Sequence, residues 1–158
     1  MITPRDALLF AALAGLLAAC GPNTEFTLPN DFVALADEDI EWRDYDWKAV
    51  NTDGAVVVLR ERDNDEEGSV DFWAKALARE LVDGQGYELL DTTEVKTRNM
   101  TGRQLHFQVD QAGTPFRYNV AVFVIDDTIV TIETAASSES WEAQQAALNA
   151  IVESADYD

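Results

Sequence analysis

Residues 115–134 read PFRYNVAVFVIDDTIVTIET and carry the strongest fold signal in the chain. Apolar side chains occupy both alternating sets of positions in 115–125. One set holds Phe116, Tyr118, Val120, Val122 and Val124, and the other holds Ala121, Phe123 and Ile125. Because successive side chains of a strand point to opposite faces, this pattern predicts a central strand covered on both sides. Asp126-Asp127 then predicts a tight hairpin into a strand over 128–134.

Six further strand patterns precede this hairpin in the sequence. Runs of β-branched and aromatic residues bounded by turn residues predict strands over 31–36, 40–50, 55–62, 86–90, 93–99 and 103–110. Residues 111–114 predict the turn that leads into 115–125. The sheet is therefore expected to be largely antiparallel.

Two helices are predicted by a period near 3.6 residues. The first begins after Ser69 as N-cap and ends at Gly84. Its apolar stripe consists of Val70, Trp73, Leu77 and Leu81. The second covers 138–153, is capped by Ser138 or Ser140, and has an apolar side made of Trp141, Leu148, Ile151 and Val152. An antiparallel sheet with two helices is an α+β fold.

The first twenty residues have the pattern of a secretory leader. Residues 7–19 form an apolar run that is shorter than the ~20 residues of a membrane-spanning helix. Leu17, Ala18, Ala19 and Cys20 resemble the lipobox of bacterial lipoproteins. The resemblance implies cleavage before Cys20, a diacylglyceryl group on its thiol, and acylation (typically palmitate) of the new amine. A plain secretory signal cleaved at the same place is the alternative.

Three segments follow from this assignment. Residues 1–19 are expected to be a lipoprotein signal peptide, 20–30 a lipidated N-terminus and tether, and 31–158 a single α+β domain. The sole cysteine, Cys20, leaves no intramolecular disulfide. Gly21, which stands where Asp retains enterobacterial lipoproteins in the inner membrane, favours the outer membrane. The expected location is thus a lipid anchor in the cell membrane, facing the periplasm.

Charge restricts the partners. The chain carries 30 acidic and 11 basic residues, a formal net charge of −19. Binding nucleic acid requires clustered Lys and Arg, so no nucleic-acid partner is expected. The expected partners are the bilayer, through acylated Cys20, and another envelope protein.

Three groups of residues are candidates for chemistry. His106, between two glutamines on the polar face of a strand, is predicted to be an exposed sheet residue. Asp63, Asp65 and Glu67 begin like a calcium loop, but position twelve is Ala74 rather than Glu, so they are weak metal candidates. The carboxylates at 37–39, 44 and 46 lie near Trp42, and paired carboxylates beside aromatics are typical of glycosidases. Carboxylates are so abundant in this chain, however, that some pairs lie close by chance, so no glycosidase is predicted. The chain contains no P-loop, G-x-G-x-x-G, HExxH or CxxC motif.

The layout over 45–155 resembles the Mog1/PsbP-like fold, which includes bacterial DcrB-like lipoproteins. The features that carry the resemblance are Trp47, the run Asp53-Gly54-Ala55-Val56-Val57-Val58, the Trp73 helix, Thr101-Gly102-Arg103-Gln104-Leu105, the Asp126-Asp127 hairpin and the closing helix 138–154. The resemblance implies a non-catalytic domain and supplies no set of functional residues.

The sequence therefore predicts a membrane-anchored, periplasm-facing lipoprotein that acts as a non-catalytic binding or assembly accessory for envelope proteins. No catalytic residue and no cofactor are expected. A small-ligand or calcium-binding module is the alternative, and a hydrolase with an unrecognised site is a third reading.

Overall fold

The computed structural model describes residues 22–35 and 44–158. These residues form nine strands and two helices. The strands are β1 (Thr24–Glu25), β2 (Phe32–Ala34), β3 (Trp47–Asn51), β4 (Val56–Asp63), β5 (Glu88–Lys96), β6 (Thr101–Gln111), β7 (Thr114–Ile125), β8 (Thr128–Ser137) and β9 (Asp156–Tyr157). The helices are α1 (Val70–Arg79), which continues into a π-helical turn (Glu80–Gly84), and α2 (Trp141–Glu153).

Seven strands form one antiparallel sheet in the order β2-β3-β4-β8-β7-β6-β5. The predicted hairpin is β7–β8, which lies in the interior of the sheet and closes at the pair Ile125–Thr128. Asp126 in the turn has a φ of 50°, a left-handed conformation that aspartate adopts more readily than most residues. The prediction of a central strand at 115–125 is confirmed.

Helix α1 covers part of one sheet face. Ser69 caps it as predicted, because its hydroxyl accepts a hydrogen bond from the Phe72 N–H at 3.2 Å. The predicted stripe packs on β6 and β7, where it contacts Leu105, Phe107, Val120 and Val122. The helical segment ends at Gly84, as predicted, but its last turn (Glu80–Gly84) is π-helical rather than α-helical.

Helix α2 covers the opposite face. Trp141, Leu148 and Ile151 join Val57, Leu59, Phe123 and Ile132 in the larger core cluster. Full burial of each large apolar side chain stabilises the fold by about 1.5–3 kcal/mol. A sheet with one helix on each face confirms the predicted α+β class.

Two local predictions differ from the structure. Residues 86–90 and 93–99 were expected to be separate strands, but β5 is one continuous strand. Its register with β6 shifts at a bulge between Leu89 and Asp91. Ser140 occupies the N-cap position of α2 without a capping side-chain bond, because its hydroxyl instead contacts that of Ser137 at 2.8 Å. Ser138 lies before the helix and does not cap it.

The N-terminal stretch is part of the domain from Asn23 onward. Strand β1 pairs with β9 next to the C-terminus, and Glu61 accepts hydrogen bonds from the N–H groups of Asn23 and Thr24 at 3.0 and 2.8 Å. Phe26 stacks on Trp47 with ring centroids 4.5 Å apart. Residues 23–26 of the expected tether (20–30) therefore pack on the folded domain, because they form hydrogen bonds and an aromatic stack with it.

No helix within 22–35 and 44–158 combines the length and apolar character needed to span a membrane.

Candidate functional site

Several sequence-predicted residues lie outside the described part of the chain. These are the predicted lipidation and cleavage residues Leu17, Ala18, Ala19 and Cys20, the sorting residue Gly21, the acidic residues 37–39, and Trp42. Their assignments remain predictions.

The acidic loop that follows β4 is organised by the side-chain amide of Asn64. Asn64 is buried, and its Oδ1 accepts hydrogen bonds from Gly68 N–H at 2.9 Å and Trp73 Nε1–H at 2.8 Å. Its Nδ2 donates to the Gly68 carbonyl at 3.0 Å. The candidate metal ligands Asp63, Asp65 and Glu67 are exposed around this residue. Among the described residues, no group of three His, Cys, Asp or Glu side chains converges as metal ligands would.

The carboxylates beside Trp47 are engaged in ion pairs. Arg62 contacts Asp46 at 2.9 Å and Asp44 at 3.3 Å, and Asp46 also accepts the Glu61 N–H at 2.6 Å. Trp47 is stacked on Phe26 rather than presented to a ligand. Both described carboxylates of this acidic cluster, Asp44 and Asp46, are therefore held in ion pairs, whereas glycosidase chemistry needs two carboxyl groups that face the substrate.

His106 is half-buried rather than exposed as predicted. It lies on the α2 side of the sheet, and its Nε2 is 2.9 Å from the Thr93 hydroxyl. Burial lowers the pKa of His106 below 6.5, whereas a hydrogen bond with Asn119 and the charge of Asp91 act in the opposite direction. The neighbouring charge of Arg117 adds to the lowering of this pKa. His106 has no serine contact in the described structure and lines none of the clefts described below.

An open cleft lies on the face that α1 only partly covers. Helix α1 sits over β6 and β7, so the surface of β3, β4 and β8 beside it remains accessible. The cleft has a volume of about 400 Å³. Its walls are mainly apolar and aromatic, with contributions from Val56, Val58, Tyr87, Val109, Phe116, Tyr118 and Ala135.

A hydrogen-bonded charge cluster forms one side of this cleft. Glu133 receives a hydrogen bond from the Tyr118 hydroxyl at 2.5 Å on one oxygen and an ion pair from Arg60 on the other. Burial, reinforced by the nearby Tyr87, raises the pKa of Tyr118 above its usual value of 10, so this phenol is a donor throughout the physiological range. The positive charge of Arg60 thereby compensates the negative charge of Glu133, and each carboxylate oxygen has a partner.

A second accessible surface lies at the other end of the same face, between α1 and β5; we refer to it as the α1–β5 surface. It contains a groove of about 320 Å³ lined by Ala74, Ala78, Leu89 and Leu105, with Asp71 and Arg103 paired across it at 2.9 Å. Of the six exposed large apolar side chains of the described structure, three belong to these two elements: Phe72 on α1, and Leu89 and Leu90 on β5. Phe72 is 55% exposed, although it sits on a helix with a well-buried opposite side.

Strand β5 leaves backbone groups open along this surface. It is an edge strand, so the N–H and C=O groups on its outer side have no strand partner in the described sheet. The bulge at Leu89–Asp91 and the charges of Glu88, Asp91 and Glu94 limit indiscriminate pairing with other strands. The opposite edge is the much shorter β2.

Comparison with known structures identifies the architecture as the Mog1/PsbP-like fold. Cyanobacterial PsbP (CyanoP) from Synechocystis sp. PCC 6803 matches with a TM-score of 0.60 at 12% identity, covering 86% of this chain and 87% of that one. LpqN of Mycobacterium tuberculosis, which is involved in cell envelope biogenesis, matches with a TM-score of 0.60 at 15% identity, covering 84% and 81%. A variant of Mog1 matches with a TM-score of 0.54 at 16% identity, covering 83% and 81%.

These similarities confirm the fold predicted from the sequence. Identities this low establish fold and not activity. No protein-family model matches the chain, and no curated protein matches it in a sequence search.

Sequence reasoning missed both accessible surfaces. The cleft is built by residues from five strands and the segment after α1, and no short sequence window contains them. A signal for the α1–β5 surface was present, since Phe72 falls off the apolar stripe of its helix and Leu89-Leu90 breaks strict alternation.

Proposed function

We propose that this chain is a non-catalytic accessory lipoprotein of the bacterial envelope that binds another envelope protein at the α1–β5 surface. The observation that carries the proposal is the juxtaposition of an open nine-residue edge strand with an accessible apolar groove, which Leu89 of that strand lines. Accessible apolar surface of this kind is typical of protein interaction sites. The role of LpqN in envelope biogenesis agrees with this location but belongs to that protein.

The expected occupant is an extended segment of the partner that pairs with β5. Backbone hydrogen bonds to an edge strand supply affinity, and side chains at alternate positions enter adjacent pockets. A small apolar side chain suits the groove between Ala78 and Leu89. Glu88 and Asp91 have no ion-pair partner among the described residues, so a Lys or Arg on the incoming strand complements them.

Lipid on Cys20 would hold the domain very close to the bilayer. The chain is fixed to the domain at Asn23, and three residues reach at most ~10 Å. Two or three acyl chains give stable anchoring, at about 0.8 kcal/mol per buried CH₂. The end of the domain that carries Glu61 and the C-terminus, where Asp158 N–H donates to the Asn23 carbonyl at 3.0 Å, would then face the membrane. Gly21 favours the outer membrane as the site of the anchor.

Affinity capture of the full-length protein from detergent-solubilised envelopes tests the interaction. Leu90→Glu adds a charge to the exposed bulge of β5, and we expect it to reduce recovery of the partner at least fivefold. Gln145→Glu, at an exposed position on α2, makes the same charge change on the opposite face and should leave recovery unchanged. Equal recovery with both variants would exclude the α1–β5 surface as the binding site.

Metabolic labelling with palmitate tests the anchor separately. The wild-type protein should incorporate label and sediment with membranes, whereas Cys20→Ala should do neither. Unlabelled protein that is released as a soluble periplasmic species would instead support the plain secretory signal.

A further inference from the structure

The cleft over β3, β4 and β8 has the features of a ligand site that is separate from the α1–β5 surface. Its volume of about 400 Å³ lies within the range of small-molecule sites, roughly 300–1,000 Å³. The aromatic rings of Tyr87, Phe116 and Tyr118 line it beside the aliphatic side chains of Val56 and Val58. Such a surface favours a ligand with a substantial apolar part.

The charges in the cleft specify the polar end of the ligand. Only Lys48 and Glu133 among its lining residues are charged. Glu133 is satisfied by Arg60 and Tyr118, so it offers no open acceptor to a cation. Lys48 forms no ion pair with a carboxylate in the described part of the chain, and its ammonium lies 5.8 Å from the centre of the Tyr45 ring. The one charge available to a ligand is therefore positive.

The register of the sheet places this charge beside the apolar surface. Lys48 pairs with Val58, and Val58 pairs with Glu133, so the three side chains form one cross-strand row. The neighbouring row runs through Val56, Ala135 and Tyr118 on the same face. A ligand that lies along the second row can reach the Lys48 ammonium with its end.

We propose that this cleft binds a small amphiphile with a hydrocarbon body and a carboxylate head, such as a medium-chain fatty acid. The hydrocarbon lies against Val56, Val58 and Phe116, and the carboxylate pairs with Lys48. In a chain of net charge −19 the Lys48 contact is a local exception, and it makes binding selective for the anionic end over a cationic one. This site does not depend on the proposed protein partner, so either can fail alone.

Titration of the full-length protein with decanoate, followed by amide NMR shifts and thermal stability, tests the proposal. We expect saturable shifts at Val58, Phe116 and Ala135 and a raised melting temperature. Lys48→Gln should weaken binding about tenfold, the effect of losing one charge-assisted hydrogen bond. Arg98→Gln removes the same charge at the β5–β6 turn and should leave the affinity unchanged.

Matched ligands and a filled cleft complete the test. Decanol and decyltrimethylammonium share the hydrocarbon and should bind more weakly than decanoate. Ala135→Leu fills the floor of the cleft and should abolish binding while the circular dichroism spectrum is retained. Absence of saturable shifts, equal binding of all three ligands, or an unaffected Lys48→Gln variant would each overturn the proposal.

Discussion

Asn64 is the residue on which the acidic loop depends. Its side chain forms three hydrogen bonds, two to the backbone of Gly68 and one to the Trp73 indole, and so ties the loop to the first turns of α1. We expect Asn64→Ala to lower the free energy of unfolding by about 2–4 kcal/mol, because it leaves buried donors and an acceptor without partners. Chemical denaturation measures this.

A calcium role for the loop is tested by a second set of variants, in which the three exposed carboxylates are replaced. If Asp63, Asp65 and Glu67 held a cation, their replacement by Asn and Gln would cost more stability than loss of Asn64. Substituting these exposed carboxylates should instead change stability by less than about 0.5 kcal/mol.

His106 gives stability a defined pH dependence. Burial lowers its pKa below 6.5 in the folded state, so the unfolded chain binds the proton first as the pH falls. Its stabilising contribution is therefore present above about pH 6.5 and is lost as the pH falls through the folded-state pKa. The chain has a single histidine, so one NMR ring resonance reports the midpoint, which should lie below 6.5.

Two variants test the causes of that shift. Arg117→Gln should raise the midpoint, because the Arg117 charge contributes to the lowering of the His106 pKa. Asp91→Asn should lower the midpoint further, because the Asp91 charge acts in the opposite direction. A wild-type midpoint at or above 6.5 would contradict the burial of His106.

Among the secondary-structure elements, strand β7 leaves no room for a side chain at Gly102 of β6. A Cβ at this position would overlap the Val122 carbonyl oxygen and press on the Phe123 ring. We expect Gly102→Ala to destabilise the fold by about 1–3 kcal/mol, as overpacking of an interior does. Thr101→Ala, at the exposed neighbouring position, is the control, and a thermal melt that moves equally for both variants would contradict the account.

The elements with a strong period were predictable from sequence. The α1 stripe and its Ser69 cap were confirmed, because both the burial pattern and the cap depend on residues close in sequence. The bulge in β5 was not predicted, since it arises from pairing with β6 and not from local preference. The missing side-chain cap at Ser140 was not predicted either, because the Ser140 hydroxyl contacts the Ser137 hydroxyl instead.

At the scale of the whole molecule, the docked N-terminal segment decides how the domain sits relative to an anchor. Glu61 on β4 fixes Asn23 and Thr24, and β1 pairs with β9 at the chain end. The sequence predicted a tether here because its prolines and asparagines show no sustained periodicity, whereas the partners that order it, such as Trp47 and Glu61, lie far along the chain. The cleft could not be predicted for the same reason, because its lining comes from five strands, whereas Phe72 and Leu89-Leu90 were a local signal for the α1–β5 surface.

Site-specific photocrosslinking in living cells shows whether β5 and α1 form a protein-binding surface. A photoreactive residue is placed at Leu89, at Phe72 or, as the control on the opposite face, at Gln145, and captured species are identified by mass spectrometry. We predict that one envelope protein is crosslinked from Leu89 and from Phe72 and is not crosslinked from Gln145. Capture of the same species from all three positions, or of no species from Leu89 and Phe72, would contradict it.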